Sequence, residues 1–350
     1  MTPPPATSRG LRRRALALAG AAAVLAVGCG SAELQPTAAP AGSAEPEMAT
    51  ARGTAEFFAP DAIWNAPLAD DEPLDPRSDA LVRRLRDHVA QDRTTVNIRE
   101  WSTPLYRVSA TQPTVRVTLD KQNAPELQQA VNAVPLPAGA RPAPGTDANV
   151  VVYQPATDTI WEFWRFRREA DGFHAGWAGR MQQVSQSPGW FRDRENPFER
   201  RFWGVTATHI AKPVGLMTLR ELQRGRVDHA LAIAIPKARR GVWSWPASGT
   251  DGDSDDPASI PEGARFRLDP ALDIDALDLP PMTRMMAVAA QRYGLVVNNT
   301  AGAVAFYAED PNRFPGDPYA PILAGDQPVE VARAFPFEHL QTLRLQLRSG

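Results

Sequence analysis

Val227-Asp228-His229-Ala230-Leu231-Ala232-Ile233-Ala234-Ile235 carries two interleaved sets of side chains. At the period of two that a strand imposes, Val227, His229, Leu231, Ile233 and Ile235 share one face, and Asp228 lies with the alanines on the other. The run therefore reads as a strand over 228–235. Working outward, further strand-like runs fall at 95–98, 105–108, 114–119, 149–153, 159–167, 265–268, 295–298 and 303–307. Helices are predicted at 78–91, where Leu81, Val82, Leu85 and Val89 recur at helical spacing behind Ser78, and at 218–224, where Thr218 and Glu221 form a capping box before Gly225. Two more are predicted at 282–293, between Pro281 and Gly294, and at 337–345 as a closing helix. The strands are many, short and joined mainly by turns, and few helices are placed to cross over between parallel neighbours. The expected class is mainly β with peripheral helices (α+β), an antiparallel β-sandwich or jelly roll.

The N-terminus carries a different signal. Arg9, Arg12, Arg13 and Arg14 precede an apolar stretch over 15–28, and then comes Cys29, the only cysteine of the 350 residues. The stretch is too short to span a bilayer, which takes about 20 apolar residues, and suits the cleaved core of an export signal. A lone thiol in an exported chain cannot form an internal disulfide and calls for another explanation. Ala26-Val27-Gly28-Cys29 resembles the bacterial lipoprotein signal, which implies acylation of Cys29 as the first mature residue and a membrane contact through that lipid alone. Arg13-Arg14 also resembles a twin-arginine signal, with Arg12 where a serine is usual, so both export routes stay open. The expected organisation is a signal peptide over 1–28, a flexible Ala/Pro-rich tether over 29–55 and one globular β-rich domain over 56–350. The tether has almost no bulky apolar side chains and cannot offset its ordering entropy. A net charge of -2 with mixed signs argues against a nucleic-acid partner, which needs a concentrated basic face.

The densest chemistry lies between 161 and 203, with Trp161, Phe163, Trp164, Phe166, Phe173, Trp177, Trp190, Phe191, Phe198, Phe202 and Trp203. Aromatic rings beside Glu162 and Arg165 suit sugars, whose C–H faces stack on rings while hydroxyls take hydrogen bonds; aromatics of this kind are equally the material of a core. Glu162 and Asp147 are candidate acid and base, as in the carboxylate pairs of glycosidases. His229, at the end of an apolar strand face, is a candidate proton shuttle that could equally be a buried, satisfied histidine. Trp164 and Trp177 are candidate stacking platforms, and Arg165 and Arg265 candidate charge stabilisers. Asp251, Asp253, Asp255 and Glu262 copy the oxygen spacing of a calcium loop, although Asp256 stands where such a loop needs glycine. No HExxH motif or paired histidine spacing points to zinc.

Gly145-Thr146-Asp147, Trp161-Glu162-Phe163-Trp164, Asp228-His229-Ala230-Leu231, Gly263-Ala264-Arg265-Phe266-Arg267-Leu268 and Arg292-Tyr293-Gly294 together make the chain resemble an uncharacterised group of bacterial secreted and lipid-anchored proteins. The resemblance covers most of 57–340. It implies export and a single globular domain, and it transfers no activity and no catalytic residue. The expected function is a lipid-anchored, extracytoplasmic protein acting on a cell-envelope glycan, as a polysaccharide hydrolase or lyase. The alternative is a non-catalytic binding or scaffolding lipoprotein. A solute-binding lipoprotein fits less well, because the alternating strands and helices of two α/β lobes are missing.

Overall fold

The strand predicted from the alternating run forms, as Leu231–Ile235, and lies inside the largest sheet of the molecule. The computed structural model describes residues 56–121, 123–191 and 203–350. The signal, Cys29 and the tether lie outside the described residues, as do Phe198 and Phe202. The described residues belong to one compact unit, Ala51–Gly350.

The sheet has six strands in the order Thr94–Asn97, Val304–Tyr307, Leu231–Ile235, Leu295–Thr300, Arg265–Leu268 and Leu340–Thr342. Alternation sorts its side chains into two cores. Leu231, Ile233, Ile235, Val297, Val304 and Phe306 face a layer of helices that includes Ser78–Asp92 and Pro281–Arg292. Ala232, Ala234, Val296, Ala305 and Tyr307 face a second sheet, whose strands run Leu105–Arg107, Val150–Gln154, Thr159–Trp164 and Trp177–Gln182. The small alanine side chains leave room for that second layer and for a loop between. Gly215 (φ +72°) lies so close that a Cβ there would come within 2.2 Å of the Ala232 nitrogen, a position only glycine can hold. Each fully buried Leu or Ile on these faces contributes about 1.5–3 kcal/mol relative to exposure, so the two-sided sheet is the main source of cohesion.

The architecture is the expected one, mainly β with peripheral helices and two packed sheets, with mixed strand directions. Thr94–Asn97 runs parallel to Val304–Tyr307, and Leu231–Ile235 runs parallel to Leu295–Thr300, while most other neighbours are antiparallel. Three-stranded and two-stranded sheets add to the periphery.

Two local expectations are corrected. Residues 337–345 form no α-helix: a single 3-10 turn at Phe337–His339 gives way to strand Leu340–Thr342, which closes the large sheet against Arg265–Leu268. Leu340 and Thr342 alternate inward there, and pairing with the sheet edge satisfies backbone groups that a short helix would leave open. The predicted strand 159–167 ends at Trp164, because Arg165 takes a left-handed conformation (φ +52°). The bend returns Phe166 to the core beside Phe163 (5.6 Å) and Phe173 (5.5 Å).

Candidate functional site

Two indoles hold one turn. The Trp101 side chain donates to Thr146 Oγ1 (3.3 Å), and Trp164 Nε1 donates to Asp147 Oδ1 (3.3 Å). Backbone bonds complete the clamp: Trp101 N–H donates to Pro144 O (2.8 Å), and Arg165 N–H donates to Asp147 O (2.7 Å). Gly145 allows the first indole to approach, since at φ +108° its missing Cβ would lie 2.8 Å from the Trp101 ring. Trp164 and Trp177 are direct cross-strand partners, so both side chains leave the sheet on the same face. The Arg165 guanidinium sits 4.2 Å from the centre of the Trp164 ring, and the Lys121 ammonium 5.5 Å from that of Trp177. The structure thus brings together Asp147, Trp164, Trp177 and Arg165, four of the residues singled out in the sequence.

The turn forms one wall of a cleft of about 760 Å³, which Thr95, Asn97, Trp101, Asn299 and Tyr307 also line. Thr95 lies opposite Ala305 and Asn97 opposite Tyr307 in register, so these four share a face. Asn299 reaches the same face through a bulge. The ladder slips between Val297 and Asn299, which sets Asn299 opposite Ala234 instead of following Val297 into the helix-side core. Trp101 is 43% exposed, an unusual state for so large a ring, and it marks the rim. Behind Tyr307 lies Lys212, buried, with its ammonium 4.7 Å from the phenol ring centre. Among the described residues that ammonium makes no hydrogen bond or ion pair. Burial pulls its pKa down, and the charges of Asp147 and Glu162 oppose that pull. Burial likewise pushes the Tyr307 phenol well above its ordinary value.

The two central residues of the expected acid/base set are placed elsewhere. Glu162 is wholly buried, and its two oxygens accept from Val205 N–H (2.8 Å) and Lys212 N–H (2.7 Å). It ties a loop to the second sheet and does not line the cleft. Burial raises its pKa to about 7 against the opposing effect of those two bonds. His229 is buried too and lines a separate void of about 10 Å³, room for a single water. Its Nδ1 faces Ala230 O (2.8 Å), and its Nε2 lies 3.2 Å from Glu221 Oε1 and 3.3 Å from Oε2. Both ring nitrogens face groups that can only accept, so the ring is held as an imidazolium. Burial pulls its pKa down, but Glu221 overcomes this and the net shift is upward. Glu221, despite its burial, is lowered to about 2 by His229 and the Thr218 cap. The pair is a buried ion pair, on a void that shares no lining residue with the cleft.

The acidic loop does not gather a ligand shell. Asp255 pairs with Arg240 (2.7 Å), the Asp253 carbonyl accepts from the same guanidinium (2.6 Å), and Asp251 Oδ1 accepts from Thr300 (3.0 Å). Glu262 is buried, and its carboxylate accepts from the Asp251 amide (2.9 Å); burial, then the neighbouring Asp251 charge, raises its pKa to about 8. Among the described residues, ligand atoms close enough to share an ion occur at Glu169, Asp171 and His174 on a surface hairpin, where Arg167 already pairs with Glu169 (2.6 Å). Arg265 stands apart from the tryptophan group, on a smaller cavity beside Trp245.

Trp101, Asn299, Tyr307 and Lys212 were not singled out in the sequence. Trp101 offered a signal, a tryptophan outside any periodic segment. Asn299 offered none, since the bulge that turns it is a property of strand pairing. Comparison of the chain with protein-family models, with curated proteins and with solved structures finds no match.

Proposed function

We propose that this is an extracytoplasmic, lipid-anchored protein that binds a cell-envelope glycan in the Trp101–Asp147 cleft. The observation that carries the reading is the clamped turn: two indoles fixed by hydrogen bonds to Thr146 and Asp147, beside an open cleft. A sugar needs a ring face for its C–H groups and fixed acceptors for its hydroxyls. Trp101, Asp147, Asn97 and Asn299 supply both kinds of contact. Binding is favoured over turnover because Glu162 and His229 are each enclosed separately, which leaves Asp147 without either expected proton-transfer partner. The lipid anchor rests on Arg12 to Arg14, the apolar stretch and Cys29. Among the described residues, no helix is long and apolar enough to cross a membrane.

The test is a screen of residues 52–350 against cell-wall and capsular glycans, reading affinity, new reducing ends and unsaturated products. Saturable binding that Trp101→Ala weakens about tenfold is the expected result. An empty screen with folded protein refutes the reading. Product formation abolished by Asp147→Asn would replace it with a hydrolase or lyase.

A further inference from the structure

Arg265 and Arg267 lie two residues apart on one strand and project to the same side, opposite the helix-facing Phe266 and Leu268. Their surroundings differ sharply. Arg267 makes three hydrogen bonds: it donates to Ala69 O (2.7 Å), Asp70 O (2.8 Å) and Gln341 Oε1 (3.0 Å). Arg265 donates to a single acceptor, Ile63 O (3.0 Å), and among the described residues it forms no ion pair. A guanidinium carries five N–H donors, and burying its charge without a counterion is costly. Burial accordingly lowers its pKa to about 10, against the opposing charge of Glu72. Arg265 lines a cavity of about 360 Å³, separate in its lining from the Trp101 cleft. Arg344, which forms no ion pair among the described residues, lines the same cavity, together with Trp245 and Glu72.

We infer that this cavity is a second binding site, built for one carboxylate-bearing sugar residue of the uronic acid class. Arg265, held in place by Ile63, and Arg344 receive the carboxylate as a pair of forked donors. Trp245 supplies an aromatic surface for the ring, and Glu72 accepts from the hydroxyls. The volume lies at the small end of the range for ligand sites, which suits a single ring and excludes a long chain. A bare phosphate would use the two guanidiniums and leave the indole idle. The inference is independent of the reading of the larger cleft.

Calorimetric titration of the protein with glucuronate and galacturonate, with glucose and galactose, and with inorganic phosphate tests the assignment. A uronate should bind at least tenfold more tightly than its neutral parent sugar. Arg344→Gln, a surface change that leaves the fold intact, should weaken it several-fold, and Arg265→Lys, which keeps the charge but removes the fork, about tenfold or more. Trp101→Ala should leave this affinity unchanged, which separates the site from the glycan cleft. Absence of uronate binding by folded protein overturns the inference, as does equal affinity for neutral sugars. Phosphate binding as tight as the uronate's, or indifference to Arg344→Gln, overturns it as well.

Discussion

Glu162→Gln isolates a single buried carboxylate whose contribution to stability has a definite sign. Its folded-state pKa of about 7 lies above the ordinary 4.5, with burial the largest cause. The folded protein therefore binds this proton more tightly than the unfolded chain does. Stability from the group is fully present below pH 4.5 and is lost as pH rises through about 7. The gap corresponds to roughly 3 kcal/mol, since each pH unit is worth about 1.4 kcal/mol, and most of it falls between pH 5 and 8. Glutamine cannot titrate, so it removes this dependence. It also brings an NH₂ group towards one of the two backbone donors, Val205 N–H or Lys212 N–H, at a cost of about 1–3 kcal/mol at every pH. Denaturant unfolding of both proteins at pH 5 and pH 8 separates the two effects. The stability difference should move in favour of the glutamine variant by roughly 2–3 kcal/mol from the lower to the higher pH. A difference constant within about 1 kcal/mol, or one moving towards the wild type, would refute the argument that burial dominates at this site.

Other expectations concern the anchor, the ion pair and the turn. Cys29→Ser should release the protein from the membrane fraction or stall its maturation, read by fractionation and by intact mass. His229→Ala leaves Glu221 buried without its cation and should cost about 3–5 kcal/mol in denaturant unfolding at pH 7, while the double variant with Glu221→Gln should recover part of that loss. Gly145→Ala places a methyl against the Trp101 ring at an unfavourable φ; it should weaken glycan binding with little change in global stability, measured by titration and thermal melting together. Trp164→Phe removes the donor to Asp147 while keeping a ring; a several-fold loss of affinity is expected, and an unchanged affinity would mean the bond does not position the carboxylate.

Much of the frame could be read from side-chain order. The alternation around Leu231–Ile235 assigned Leu231, Ile233 and Ile235 to one face and the alanines to the other, and the structure uses those faces for two different cores. The capping box at Thr218 and Glu221 forms as its spacing predicts. Features set by pairing between distant segments were invisible. Nothing local to Asn299 announces the bulge, and nothing local to Arg165 announces the left-handed turn that ends its strand. The candidate site divides in the same way. Asp147, Trp164, Trp177 and Arg165 meet because antiparallel register puts Trp164 beside Trp177 and the turn lies across them. Glu162, two residues from Trp164 and on the same strand face, is covered by a loop whose Val205 and Lys212 amides donate to its two oxygens. Chemical type made Glu162 a plausible acid, and a loop 43 to 50 residues further along the chain closed over it.

Because Trp101 and Trp164 grip adjacent residues of one turn, the molecule carries its own optical reporters. Neither indole can swing without breaking a bond to that turn, and the turn cannot shift without disturbing both emitters. A ligand lodged against Asp147 would therefore register as a change in intrinsic fluorescence, with single tryptophan replacements distinguishing the rim ring from the strand ring.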